Sequence, residues 1–221
     1  MKKQDILFIA IFAIIFLPFI LSADAYQFYI DMTKNHSFVM SFIKFAVLAT
    51  LGEILALRIV SKIYIKKGFG IIPRAIVWGF LGIMINCAFI IFANGSPKIA
   101  VAIGFEEAPK LLTSFLISAT MNTIFAPVMM TLHKITDTHI LTNGGTLSGF
   151  FTPIKFGKII AEMNWSVMWN FVFKKTIPFF WIPAHTITFM LPKEFQILFA
   201  AVLGIALGVI MAIASILSNK K

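Results

Sequence analysis

Glu53 lies inside a run of apolar residues, 38–59, where no water would solvate a carboxylate. A charged side chain near the centre of a bilayer costs about 2.5–3.5 kcal/mol on insertion scales. Its own helix offers no partner. Lys44 lies nine positions back, on the opposite face, and Arg58 lies five positions on, off the same face. A partner is expected from another helix, with Asn86, Asn122 and His185 as candidates. Two readings stand. Glu53 lines a polar pathway or cavity, or it makes a structural interhelical hydrogen bond with the acid protonated. His185, beside Thr186 and Thr188, reads first as a packing residue that forms hydrogen bonds. Asn86 and Asn122 read as polar glue between helices.

Other chemistry is thinner. Glu106-Glu107 invites comparison with intramembrane metalloproteases, but His133, His139 and His185 lack the spacings such a site needs, so no metal is expected. There is no Gly-x-Ser-x-Gly and no phosphate-cradling glycine loop. The expectation is a protein without cofactor that is not an enzyme. A single cysteine, Cys87, excludes an internal disulfide. Ala200, Gly204, Gly208 and Ala212 recur every four residues, a ridge on which two helix backbones can approach closely. That ridge serves an internal contact or a homo-oligomer.

The elements that position these residues follow from composition. Of the 221 residues 59% are apolar and 13% are charged, about half the charge of a soluble domain. So little polar surface cannot coat so much apolar side chain in water, whereas lipid requires no such coat. A spanning helix needs about 20 mostly apolar residues. Runs at 6–21, 38–59, 71–93, 111–132, 177–191 and 195–217 supply six, in a single domain over 1–221. The expected fold is an all-α polytopic transmembrane helix bundle of about six spans. Asn94-Gly95-Ser96-Pro97 is expected to end the third run, and 134–157 to form the longest loop. Apolar residues at 160, 163, 167, 168, 171 and 172 then predict an interfacial amphipathic helix. Ser22-Ala23-Asp24-Ala25 resembles a signal cleavage site, so 1–25 is a signal segment or a retained first span.

Charge supplies the orientation. The net charge is +10, and the cations flank apolar runs, which reads as topology signal and lipid headgroup contact and not as nucleic-acid binding. With six spans, the Lys2-Lys3 end, the turn 58–74, the segment 134–175 and the Lys220-Lys221 end share one side. The opposite loops balance Lys against acids. The positive-inside rule then puts both termini in the cytoplasm and favours a retained first helix. No Arg-rich, acid-poor pattern opens the chain, which argues against mitochondrial import, and the Ile/Lys-rich composition suits a bacterial inner membrane.

Gly52-Glu53-Ile54-Leu55-Ala56 resembles the Gly-acid-x-aliphatic-Ala motif of the Mpv-seventeen and peroxisomal membrane protein twenty-two family. Phe125-Ala126-Pro127 resembles that family's Phe-Ala-Pro. Arg74 with Gly79 and Gly82, and Trp181, Pro183, Phe189 and Pro192, follow its order. The resemblance covers roughly 38–217. Leu57 stands where the family usually has Gln, and its Gly-Pro and Trp-Tyr pairs are absent. It implies a small helical membrane protein proposed to act as a channel for small solutes. Expected partners are membrane lipids and a small-molecule solute. The alternative is a non-transporting scaffold that binds lipid or a partner.

Overall fold

The computed structural model describes residues 3–106 and 108–218. Lys2, Glu107 and the Lys220-Lys221 end, which entered the readings above, lie outside the described residues. The described chain is helical throughout, with no strand among the described residues. Its helices are α1 (Lys3–Leu21), α2 (Ala23–Asn35), α3 (Ser37–Ser61), α4 (Ile71–Ala102), α5 (Lys110–Ile124) and α6 (Ala126–Thr142). Three short helices follow: α7 (Leu147–Phe150), α8 (Phe156–Glu162) and α9 (Trp165–Val167). A π-helix (Met168–Trp181), α10 (Ile182–Met190) and α11 (Lys193–Ser218) complete the chain.

Four helices, α1, α3, α4 and α11, are long and apolar enough to cross a membrane. The count is five if α5 and α6, bent by 46° at Phe125, form one span. Large apolar side chains face outward, Ile14 of α1 at 72% exposure and Phe179 of the π-helix at 80%. Water would not tolerate that surface, and an integral membrane location accommodates it.

α3 sits between α4 and α11, and α5 packs between α4 and α10. Leu48, Ala49, Phe89 and Ala201 are at the heart of this core. Two glycines set the spacing. A Cβ on Gly82 of α4 would lie 2.6 Å from the Ser41 carbonyl oxygen of α3, and one on Gly52 of α3 would lie 3.0 Å from Ile205 Cα of α11. Backbones this close admit no larger residue without moving a helix.

Side-chain contacts define two ends. At one, Asp5 of α1 pairs with Arg58 of α3 at 2.8 Å and accepts from Tyr64 at 2.9 Å. The turns around Gly68 and Gly145 pack against each other there. At the other, Tyr29 of α2 donates to the Glu194 carbonyl at 2.9 Å, and Lys34 meets the Glu194 carboxylate at 3.5 Å. Lys110, opening α5, donates to the Met190 carbonyl that closes α10, at 2.9 Å. Lys44, a charge within α3, reaches back to Thr33 and lies over the Tyr29 ring, an example of snorkelling.

Several elements differ from the sequence expectation. The third run does not stop at 94–97; α4 continues to Ala102 with Pro97 inside it. Asn94 donates to the Ile90 carbonyl and Ser96 bonds Thr120 of α5, so the expected breakers are tied into helix and neighbour. The expected loop 134–157 is mostly helix. Ile135, His139 and Ile140 are buried on one face of α6, and Thr136, Thr138 and Thr142 turn their hydroxyls onto carbonyls of the preceding turn. The single amphipathic helix expected over 158–174 is broken at Met163, because the Asn164 side chain accepts from Val167 N and starts a new helix. Ser22, in the cleavage-like stretch, caps α2 by accepting from Ala25 N.

Candidate functional site

α3 carries Glu53 toward α4 and α6. On α4, Arg74 and Trp78 are one turn apart and share a face, as do His133 and Asp137 on α6. Glu53 uses both oxygens. Arg74 Nη1 donates to Oε2 at 2.6 Å, Trp78 Nε1 donates to Oε1 at 2.9 Å, and His133 Nε2 lies 3.3 Å from Oε1. The second Arg74 terminal nitrogen pairs with Asp137, and its Nε donates to the Phe69 carbonyl at 2.7 Å. The guanidinium lies over the Phe69 ring, and the Trp78 and His133 rings meet at 4.4 Å, tilted by 39°. Lys134 Nζ stands 3.9 Å from Asp137, with half of its side chain exposed. Two acids, Glu53 and Asp137, meet two bases, Arg74 and Lys134. Buried charge is tolerated when it is paired in this way.

The partner of Glu53 therefore does come from other helices, but it is none of the three candidates. Asn122 and His185 bond each other instead, Asn122 Oδ1 lying 3.2 Å from His185 Nδ1. Asn122 Nδ2 also donates to the Ser118 carbonyl at 2.8 Å. Asn86 is buried, and its Nδ2 has no hydrogen-bond partner among the described residues.

Glu53, Asn122 and His185 nevertheless border one space. A cavity of about 360 Å³ lies between α3, α4, α5, α6, the π-helix, α10 and α11. Its walls are mainly apolar: Phe45, Ala49, Met129, Val172, Leu207 and Met211 are among them. His133 and Lys134 close one end beside Glu53, and Asn86 is not part of the lining. The α11 ridge divides. Ala200, Gly204 and Gly208 face the cavity, and Ala212 is buried. A Cβ on Gly204 would meet nothing within 4 Å, whereas one on Gly208 would lie 3.7 Å from the Gly52 carbonyl oxygen, so the ridge meets the α3 backbone at Gly208 and not at Gly204.

Sequence reasoning missed Arg74, Trp78, His133 and Asp137 as site residues. Arg74 was absorbed into the basic turn 58–74. The available signal was the pair of four-residue spacings, Arg74 to Trp78 and His133 to Asp137, which aligns two hydrogen-bonding groups on each helix face. Among the described residues no group of three His, Cys, Asp or Glu side chains is placed to hold a metal ion. Comparison with protein-family models, curated proteins and solved structures finds no match to this chain.

Proposed function

We propose that this chain is a channel- or transporter-like membrane protein for small solutes, and that the solute occupies the cavity beside Glu53. The cavity carries this reading. Small-molecule sites are typically concave spaces of about 300–1,000 Å³, mostly apolar, with a few convergent polar groups. This one has that size, that lining, and polar groups at Glu53, His133 and Lys134 and at Asn122 and His185.

The six-span topology with both termini in the cytoplasm belongs to the same proposal. Its support is the alternation of contacts. α1 begins and α3 ends at the Asp5–Arg58 pair, α4 starts beside Glu53 through Arg74, and α10 ends against the start of α5. The π-helix runs into α10 without a break, Trp181 and Ile182 both having right-handed helical backbones, and supplies a further pass. Membership of the Mpv-seventeen family is proposed on the motifs, and one observation favours it. Gly52, Glu53, Phe125, Ala126 and Trp181 all border the one cavity.

A second reading, a non-transporting scaffold, is favoured by the full pairing of Glu53. Proteoliposome flux with a solute panel decides between them. In Glu53→Gln the side chain keeps its shape and one of its two acceptor oxygens while losing the charge. The transport reading expects folded protein with altered flux or altered pH dependence. Unchanged flux across pH 5 to 8 removes it.

A further inference from the structure

His185 is buried, with 8% of its surface exposed, and borders the cavity. A chain of hydrogen bonds behind it fixes which ring nitrogen carries its hydrogen. Ser118 Oγ donates to the Ile182 carbonyl at 2.7 Å. Its one hydrogen is thereby used, so toward Asn122 it can only accept. Asn122 Nδ2 donates to the Ser118 carbonyl at 2.8 Å and to Ser118 Oγ at 3.2 Å, so both of its hydrogens have an acceptor on Ser118. Asn122 is buried, and its Oδ1 has a single donor in reach among the described residues, His185 Nδ1 at 3.2 Å. Nδ2 stands 3.1 Å from the same Nδ1. Were Nδ1 bare, its lone pair would face those of Oδ1, and a buried carbonyl would be left without a donor. One arrangement satisfies every group: Nδ1 carries the hydrogen and donates to Oδ1.

An uncharged ring with its hydrogen on Nδ1 leaves a lone pair on Nε2. Nε2 has no hydrogen-bond partner among the described residues. The neighbouring Trp181 Nε1 is also unpartnered but is sealed from its surroundings, whereas His185 Nε2 is not sealed, and the cavity is the space this residue borders. The ring is held in place. Trp181 lies nearly parallel to it at 5.1 Å, Phe89 meets it edge-on at 5.7 Å, and turning it over would break the bond to Asn122.

Three kinds of occupant fail at that lone pair. An anion has no hydrogen to give. A cation has hydrogens, but the walls nearby, Met121, Phe125 and Trp181, are apolar, and the acid on the cavity wall, Glu53, is held by Arg74. Water gains one bond at Nε2, where a buried water commonly makes about three. A neutral hydroxyl on an apolar body gives its hydrogen to Nε2 and lays its carbons against the apolar wall.

We infer that His185 Nε2 is the recognition atom of the cavity, accepting a hydrogen bond from the hydroxyl of a neutral, otherwise apolar small molecule of the phenol or alkanol class. This rests on the reading of the cavity as the solute site and names the polar group of the solute.

The test uses the full chain in nanodiscs, with its histidines labelled with heavy nitrogen for NMR. The probes are para-fluorophenol and para-fluoroanisole, alike in body except that the second has a methyl group in place of the hydroxyl hydrogen. His185→Phe, which keeps a ring against Trp181, identifies the His185 signals by difference. In the ligand-free protein Nδ1 is expected to carry hydrogen and Nε2 to be bare. Para-fluorophenol should bind saturably by fluorine NMR and shift the Nε2 signal. Referred to concentrations in the bilayer, it should bind roughly two- to tenfold more tightly than para-fluoroanisole, the worth of one neutral hydrogen bond. That preference should vanish in His185→Phe. If the variant misfolds, the ratio of the two affinities and the histidine signal that responds to the phenol carry the decision in the unaltered protein. Hydrogen on Nε2 of the ligand-free protein, non-saturating phenol binding, or equal affinity for the two probes overturns the inference. Proteoliposome flux keeps the two claims apart. Flux of other solutes without any preference for the phenol overturns the inference and keeps the transport reading. Preferential binding of the phenol without flux of any solute upholds the inference and removes the transport reading.

Discussion

Arg74→Met tests the ion network most directly. Every nitrogen of the guanidinium is used: Nη1 on Glu53 at 2.6 Å, Nε on the Phe69 carbonyl at 2.7 Å, and the remaining one on Asp137. Met keeps the length of the chain and removes all three donors. Glu53 then loses its cation, and Asp137 keeps only Lys134, at 3.9 Å. Breaking a buried pair by removing one partner costs about 3–5 kcal/mol, and a loss in that range is expected. Glu53→Gln is milder, because one of the two acceptor oxygens remains while the other position becomes an NH2 donor, so one of the Arg74 and Trp78 bonds is lost; about 1.5–3 kcal/mol is expected, the worth of a hydrogen bond to a charged group. In the double variant the unpaired Glu53 charge is gone. The combined cost should fall short of the sum of the single costs by about 1–3 kcal/mol, as for residues sharing one network. Unfolding of the three variants in mixed micelles, followed by tryptophan fluorescence, gives the numbers. If Arg74→Met costs no more than Glu53→Gln, or if the two costs simply add, Arg74 does not bridge the two acids and the site has been misread.

The two glycines of the α3–α11 region should behave oppositely. Gly52→Val forces a Cβ to 3.0 Å from the Ile205 backbone and should destabilise by about 1–3 kcal/mol, whereas Gly204→Ala, with nothing within 4 Å, should leave thermal stability unchanged. Burial pushes the Tyr29 phenol up to about 12, so the folded state holds this proton more tightly than an unfolded chain with the ordinary value of about 10. Stability contributed by Tyr29 is therefore complete below about pH 10 and is lost as pH rises toward 12. Melting temperatures should fall over that window, and fall less in Tyr29→Phe. Reporter fusions at Lys221 and in the loop at Glu106 should show the C-terminus in the cytoplasm and the loop opposite. A C-terminal reporter active only outside overturns the topology.

Hydropathy alone found α1, α3, α4 and α11, because a span must be long and apolar whatever it packs against. The bend at Phe125 was half legible. Pro127 stood inside the fourth run, and a proline near the first turn of a helix marks a new start. The helix over 134–142 was not legible, because its threonines look polar in sequence and lose that polarity only once their hydroxyls bond the turn below. The π-helix has no sequence rule behind it. Thr176 Oγ1 donating to the Phe171 carbonyl, five residues back, is a signature visible only afterwards.

The site divides along the same line. That Glu53 needs a partner follows from its cost in lipid, which depends on one residue and its solvent. Which partner it takes depends on which helices flank α3, and no property of the residue itself decides that. Arg74 shows why the error ran in one direction. A cation at the start of a span serves equally well as a topology signal or as half of a buried pair, and the sequence around it, Pro73-Arg74-Ala75, is the same in both cases. What separates the two is whether an acid on another helix reaches the same level. Asp137 does so only because α6 continues past the point where the polar residues suggest it should stop. The misread loop and the missed partner are one error: once 134–142 is a helix, His133 and Asp137 share a face, Arg74 lies between two acids, and the charge counted toward orientation becomes part of the site.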